Sequence, residues 1–209
     1  GGVHSHQQHL YALLKLAKDN GIKKVYVHAF LDGRDVPPSS ATDYLAQLED
    51  KIREIGIGQI ATISGRYYAM DRDKRWDRVE KAYAAIAKAE GNKAQTSSAA
   101  IDASYSAEKT DEFVIPAVIG DYKGMNTGDG VIFFNFRPDR ARELTHAFTD
   151  DAFNEFKRID DLKLAFAIMT QYEKGINAQI AYKPEKLTNT LGEVICKNGL
   201  KQLRIAETE

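Results

Sequence analysis

The chain has 209 residues, 43% of them hydrophobic and 28% charged, with a formal net charge of −1. This is an ordinary globular composition, with room for one sizeable core or for one domain and part of a second. So balanced a charge argues against nucleic acid or an anionic membrane as the main partner, because no long-range basic field would drive such binding. The single cysteine, Cys196, excludes an internal disulfide and fits a reducing compartment. No apolar run approaches the ~20 residues of a membrane span.

The opening Gly1-Gly2-Val3-His4 has no methionine, is not a signal peptide and reads as a loop feeding a helix, so a fragment of a longer chain is expected. A first helix is predicted over residues 5–20, with Leu10, Leu13, Leu14 and Ala17 as its buried stripe and Gly21 at its end. Residues 23–30 form a strand that runs into Asp32-Gly33-Arg34-Asp35. A helix start follows at Pro37-Pro38-Ser39-Ser40; Tyr44, Leu45, Leu48, Ile52 and Ile55 recur at helical spacing, and Gly56 stops them. The strand at 59–63 runs into Ser64-Gly65-Arg66, with Arg72 shortly after. A third helix carries Trp76, Val79, Tyr83 and Ile86 before Gly91.

The small, polar stretch 94–110 predicts short helical pieces at most. Residues 112–119 look like a strand, with Pro116 favouring an edge position or a bend. After the turn formers of 121–130, the strand 131–135 runs into Phe136-Arg137-Pro138-Asp139-Arg140. A helix over 139–148 and a strand over 164–169 follow. A polar, proline-containing link at 183–186 breaks the rhythm. A helix capped by Thr188 or Asn189 and a strand at 202–205 complete the chain. The alternation predicts an α/β fold, a mainly parallel sheet flanked by helices, with no internal repeat.

Three strands thus lead straight into arginine-bearing turns. Ligands of open α/β sheets sit beyond the carboxyl ends of the strands. If the three strands lie side by side and parallel, Arg34, Arg66, Arg72, Arg137 and Arg140 converge on one crevice. Guanidinium forks match carboxylate and phosphate oxygens in pairs, so the pattern points to a small, multiply charged anion. Arg34 would hold the anion while Asp35 accepts a hydrogen bond from a substrate hydroxyl, with Arg34 lowering the Asp35 pKa; the plainer alternative is a surface ion pair. For Arg72 the alternative is neutralisation by Asp71 and Asp73 on a solvated helix start. Pro138 suits a first helical turn, which would put Arg137 and Arg140 near a helix N-terminus that favours anions. Asn135, at the strand end, could also contact ligand.

His4, His6 and His9 invite a metal reading, but His4 and His6 are too close for one helix face and no nearby carboxylate or cysteine completes a ligand set. His4 alone, bonding a polar ligand from the loop, is the simpler reading, and His28 reads as a satisfied core histidine. No dinucleotide-binding glycine motif, phosphate loop, zinc-protease motif or nucleophile elbow is present.

The segments Gly-Gly-Val-His-Ser-His at 1–6, His-Ala-Phe-Leu-Asp-Gly-Arg-Asp at 28–35 with Pro-Pro-Ser-Ser at 37–40, Ser-Gly-Arg-Tyr-Tyr-Ala-Met-Asp-Arg at 64–72, Phe-Asn-Phe-Arg-Pro-Asp-Arg at 134–140 and the closing 203–209 together resemble the cofactor-independent (2,3-bisphosphoglycerate-independent) phosphoglycerate mutases. The resemblance covers essentially the whole chain. It implies an alkaline-phosphatase-like domain with a nucleophilic serine and two divalent metals, usually manganese, and a transferase domain inserted into it.

On that basis residues 1–182 resemble the transferase domain, and 183–209 the return hinge with the first helix and strand of the phosphatase domain. The resemblance implies that His4, Arg34, Asp35, Arg66, Arg72, Arg137 and Arg140 bind 3-phosphoglycerate and 2-phosphoglycerate. Our own expectation is that Asp35 acts in catalysis by orienting the attacking hydroxyl rather than by removing its proton fully. The serine, the metal ligands and a substrate-binding lysine would lie before Gly1 or after Glu209. The chain would then bind no metal and be inactive alone, with the phosphatase domain as its partner in cis, in a cytoplasmic enzyme of glycolysis and gluconeogenesis. The 183–187 hinge would let the domains close over substrate. A stand-alone anion-binding module, or a metal-dependent hydrolase using the N-terminal histidines, are the alternatives.

Overall fold

A computed structural model describes residues 2–203 and 205. The first helix, α1 (Gln7–Asp19), starts where His6 Nδ1 accepts the N–H of Gln8 and stops as the N–H of Gly21 turns back to Lys18 O. A crossover unit follows: strand β1 (Tyr26–Leu31), helix α2 (Ala41–Ile55) and strand β2 (Gln59–Gly65). Gly56 ends α2 in the left-handed conformation that the loss of a Cβ makes cheap. A short helix, α3 (Arg66–Ala69), leads to α4 (Trp76–Lys88), β3 (Asn92–Ala94), α5 (Ser97–Ser106), a 3-10 turn at 111–113 and β4 (Ala117–Ile119). The second unit comprises β5 (Gly130–Phe133), α6 (Arg142–Thr149) and β6 (Ala165–Thr170), followed by β7 (Gln179–Tyr182) and α7 (Leu191–Lys197).

The strands form two sheets, ordered β1-β2-β4-β3 and β5-β6-β7. Every pairing is parallel except β2 with β4. Only two of the three strands with arginine turns are therefore neighbours. β4 takes the far side of β2, and β5 lies in the second sheet. The sheets meet where the rings of Phe30 and Phe133 cross edge to face at 5.7 Å. β2 is buried on both faces from Ile60 to Gly65, as a strand inside an α/β sheet must be. One core packs Leu14, Leu45, Leu48 and Ile101 under α1, α2 and α5, while another gathers Val79, Tyr83, Leu144, Phe166 and Ile168 beneath α4 and α6.

Five local expectations change. Residues 97–106 form a full helix, α5, because Thr96 caps the N–H of Ala99 and Ile101 is wholly buried; small residues here allow close packing rather than breaking structure. β4 is interior rather than at an edge, and it begins immediately after Pro116, so the missing N–H falls outside its ladder. α6 begins at Arg142, since Pro138 occupies a turn closed by the N–H of Ala141 on Pro138 O at 3.0 Å. Thr190, not Thr188 or Asn189, caps α7 in a reciprocal capping box with Glu193. Gln202, Leu203 and Ile205 form no strand, and Arg204 of that predicted element lies outside the described residues. The exposed strands β3 and β7 were not predicted; they carry no apolar alternation.

Candidate anion-binding site

The site begins with the register of β1 against β2, which pairs Leu31 with Gly65 and so sets the 32–35 turn beside Arg66. Both turns lean on the backbone of residues 111–112. A Cβ on Gly65 would lie 2.2 Å from Glu112 O, and one on Gly33, at φ +71°, 2.9 Å from Glu112 N. Asp111, 1% exposed, anchors that backbone. Its Oδ2 accepts the N–H groups of Ser40 and Ala41, each at 2.9 Å, capping α2 from a distance, and its Oδ1 accepts the Tyr105 hydroxyl. Burial and this carboxylate push the Tyr105 hydroxyl up to about 12.

Arg66 is the centre of the inner half, with only 6% of its side chain exposed. Its Nη1 donates to Asp32 Oδ1 at 2.6 Å and Asp35 Oδ2 at 2.8 Å, and its Nη2 to His4 Nε2 at 3.2 Å. Asp32 Oδ1 also accepts the N–H groups of Arg34 and Asp35, a side-chain-closed turn that fixes the loop. Burial works against ionising Asp32, but the Asp35 N–H, Arg66 and the Arg34 N–H outweigh it and hold its carboxyl below the usual range. Burial, then the adjacent Arg66 charge, lowers the His4 pKa. His4 is therefore neutral at physiological pH. Its Nε2 accepts from Arg66, so Nδ1 carries the proton. That buried Nδ1 has no hydrogen-bond partner; the nearest carboxylate oxygen, Asp139 Oδ1, is 3.7 Å away.

The outer half is organised by Asp139. Arg137 grips it with Nε and Nη2 at 3.0 and 3.1 Å, Arg72 with Nη1 at 3.0 Å, and the Arg140 N–H completes the set at 3.0 Å. Arg140 Nη1 donates to Met70 O at 2.9 Å; burial, then the charges of Arg66 and Arg72, lower its pKa. His4 O accepts the N–H groups of Phe136 and Arg137, which ties the start of the chain to the end of β5. A cavity of about 960 Å³ runs along β1 and β5 past Phe30 and Phe133, but none of these arginines lines it. The guanidinium cluster lies outside it, with Arg66 buried and Arg72 and Arg137 about half exposed.

The structure thus brings His4, Asp35, Arg66, Arg72, Arg137 and Arg140 together although they arise from two sheets. Arg34 stands at the margin, its side chain 61% exposed and 3.4 Å from Glu112. The guanidinium on Asp35 is that of Arg66, not Arg34. Arg72 pairs with Asp139, whereas Asp71 turns inward to accept the N–H groups of Asp73 and Arg75. Arg137 and Arg140 precede α6 rather than occupying its first turn. Buried Asn135 accepts the Tyr172 hydroxyl through its backbone oxygen. The three N-terminal histidines have separate roles: His4 faces Arg66, His6 caps α1, and the His9 ring lies edge-on to Phe136 at 5.9 Å. Among the described residues no group of three or more His, Cys, Asp or Glu is placed to hold a metal ion.

Sequence reasoning missed Asp32 and Asp139 as the partners that set the arginines, and Asp111 and Glu112 as their support. The first two stood inside the arginine turns and could have been read as clamps. Asp111 gave no local signal, because the helix it caps lies 70 residues away.

Residues 1–174 match the family model described as BPG-independent PGAM N-terminus (iPGM_N). A 2,3-bisphosphoglycerate-independent phosphoglycerate mutase from Clostridium perfringens (strain 13 / Type A) is 58% identical over 214 aligned residues, covering 100% of this chain and 42% of that protein. The enzyme of the same description from Moorella thermoacetica is 59% identical over the same shares. A crystal structure of Leishmania mexicana phosphoglycerate mutase at low cobalt concentration superposes with a TM-score of 0.85 at 32% identity, over 95% of this chain and 39% of that one. The chain spans about 42% of the length of the curated relatives it matches. It belongs to the family of 2,3-bisphosphoglycerate-independent phosphoglycerate mutases.

Proposed function

We propose that this chain supplies the substrate grip of a phosphoglycerate mutase that interconverts 3-phosphoglycerate and 2-phosphoglycerate through a phosphoserine. The observation that carries this reading is the convergence of four guanidinium groups, those of Arg66, Arg72, Arg137 and Arg140, on a cluster with three carboxylates, those of Asp32, Asp35 and Asp139. A positive excess remains, and each arginine has five N–H donors, so donors remain for a ligand with two anionic ends. His4 offers its Nδ1–H to an anionic oxygen. Arg34 reaches in from the margin.

Phosphoryl transfer depends on positioning and charge neutralisation more than on covalent chemistry by the grip itself. Asp35 uses Oδ2 on Arg66, which leaves Oδ1 to accept the hydrogen of whichever glycerate hydroxyl is to attack. We assign Asp35 the role of orienting that hydroxyl. The family resemblance implies two divalent metals, and the cobalt named for the Leishmania structure supports a divalent requirement; manganese is our reading here. Bound elsewhere in the enzyme, the metals would activate the serine oxygen and neutralise phosphate charge. Among the described residues the donors gathered here hold arginines and form no ligand set for a metal ion.

We place the boundary of this unit at 182/183. Residues 183–190 hold no helix or strand, and beyond them Leu191 is 75% exposed and Leu203 84%, an apolar surface suited to the packing of a second domain. A hinge here would let the domains close and keep water from a phosphoserine. Among the described residues no helix is long and apolar enough to cross a membrane. We read the enzyme as cytoplasmic, because the exposed free Cys196 fits a reducing compartment.

The test is a coupled mutase assay on the intact protein. Asp35→Asn keeps the shape of the side chain and should cut turnover by about 100-fold or more, with KM little changed. Turnover equal to wild type would end the assignment.

A further inference from the structure

Behind the arginine crevice lies a buried pair of carboxyl groups, Asp71 and Glu143, 4% and 8% exposed. Asp71 precedes Arg72 in the loop after α3; Glu143 is the second residue of α6. Asp71 is well provided as an anion: Oδ2 accepts the N–H groups of Asp73 and Arg75, each at 2.9 Å, and Oδ1 lies 3.6 Å from Arg78 Nη1 on α4. Glu143 is not. Its Oε1 accepts the N–H of Lys74 at 2.8 Å, but its buried Oε2 finds no donor. An ionised Oε2 facing a second carboxylate in a buried place would be uncompensated. A proton on Oε2 removes the conflict by turning Glu143 into a donor toward Asp71.

The pair sits where it can matter. The loop 70–74 is fastened at both ends to the segment 140–143: Met70 O accepts from Arg140 Nη1, and the Lys74 N–H donates to Glu143. Arg72 hangs between the two fastenings and reaches Asp139. Lys74 holds a left-handed φ of 58°, a conformation the loop keeps only under restraint. We infer that protonated Glu143 is a positioning residue, clamping the Arg72 loop onto α6 so that Arg72 and Arg140 share one crevice. It touches no substrate.

Burial and the nearby charges of Asp71 and Asp73 raise Glu143 to about 7, against the pull of the Lys74 N–H. The other charged groups of the neighbourhood do not offset this: Arg78 of α4 is engaged with Asp71, and His146, one turn along α6, faces Asp150 and Glu173. The clamp therefore holds below neutrality and loosens as pH rises through it, when two carboxylates are left face to face.

The inference rests on the proposed function only for its effect on substrate, so two readouts are needed, both on the intact protein. The first uses no substrate. Infrared or carbon NMR titration of wild type against Glu143→Gln should show one carboxyl titrating near neutrality that the variant lacks. Amide exchange of residues 72–75 in wild type should speed relative to that variant over the same range. The second is KM for 3-phosphoglycerate, taken as the ratio of wild type to Glu143→Gln so that titration of the substrate cancels. That ratio should rise about threefold to tenfold between acid and alkaline sides, the size of one weakened hydrogen bond. Glu143→Ala, which lacks the donor, should show the weaker grip at every pH. A Glu143 already ionised on the acid side, or loop exchange and KM that rise identically in wild type and Glu143→Gln, would overturn the inference. Absence of any phosphoglycerate turnover would sink the proposed function instead, with the titration and exchange results still deciding the clamp.

Discussion

The two halves of the crevice solve the same problem in opposite ways. Arg66, on the inner side, has 6% of its side chain exposed and is locked by Asp32, Asp35 and His4; Arg72 and Arg137, on the outer side, are 46% and 45% exposed and share a single carboxylate, Asp139. A guanidinium taken out of water is tolerable only with its charge paired and its N–H groups used. The inner half is therefore part of the fold. The outer half keeps its arginines hydrated and able to exchange a partner, which suits arms that meet an incoming anion. On the proposed function, a pre-set floor with adjustable arms would let one surface hold both phosphoglycerate isomers.

The comparison breaks most readily at Arg66. Arg66→Ala leaves two half-buried carboxylates facing each other and should cost about 3 kcal/mol, the low end for breaking a buried pair, because both retain some water. Urea unfolding would measure it, and substrate binding should fail with it. Gly65→Ala comes next: its Cβ, 2.2 Å from Glu112 O, must push backbone from backbone, for about 1–3 kcal/mol in the same assay. Asp111→Ala removes the distant cap of α2 and should cost about 1–2 kcal/mol.

On the outer side the expectation reverses. Arg137→Ala should leave the unfolding midpoint almost unchanged while weakening phosphoglycerate binding about tenfold to a hundredfold, the worth of a charge-assisted contact. Stability against pH gives the finest division. His4 has a folded pKa below its ordinary 6.5, so its own contribution to stability is full above 6.5 and is lost as pH falls through the folded value. Asp32 and Asp139, held below 3.8, add a second loss only on further acidification. His28, partly buried where β1 meets β2 and pushed down to about 4 by that burial, loses its contribution in the same window as His4. Removing His4 should therefore shrink the first decline to the part that His28 carries and spare the second.

What could be read from the sequence follows from how local the cause is. The strand–turn–helix passes were legible because apolar periodicity and glycine stops act within a few residues, as at Gly21 and Gly56. The arginines were legible as strand-end residues, yet the reason offered for their convergence was incomplete. It assumed one sheet, where β5 belongs to a second and the link is instead made by His4 O on Phe136 and Arg137 and by Phe30 on Phe133. Pairings across long separations escaped altogether: Asp111 to α2, Asp139 to Arg72, Glu143 to Lys74. Such contacts depend on where a chain returns, which residue patterns along it do not record.

The account stands most directly on a calorimetric titration of 3-phosphoglycerate into the intact protein, wild type beside Arg137→Ala. It predicts saturable binding to wild type and a loss of about tenfold or more in the variant, with both proteins unfolding at the same denaturant concentration. Equal affinity in the two, or no saturable binding to wild type, would contradict the claim that turns from two sheets close on one anion.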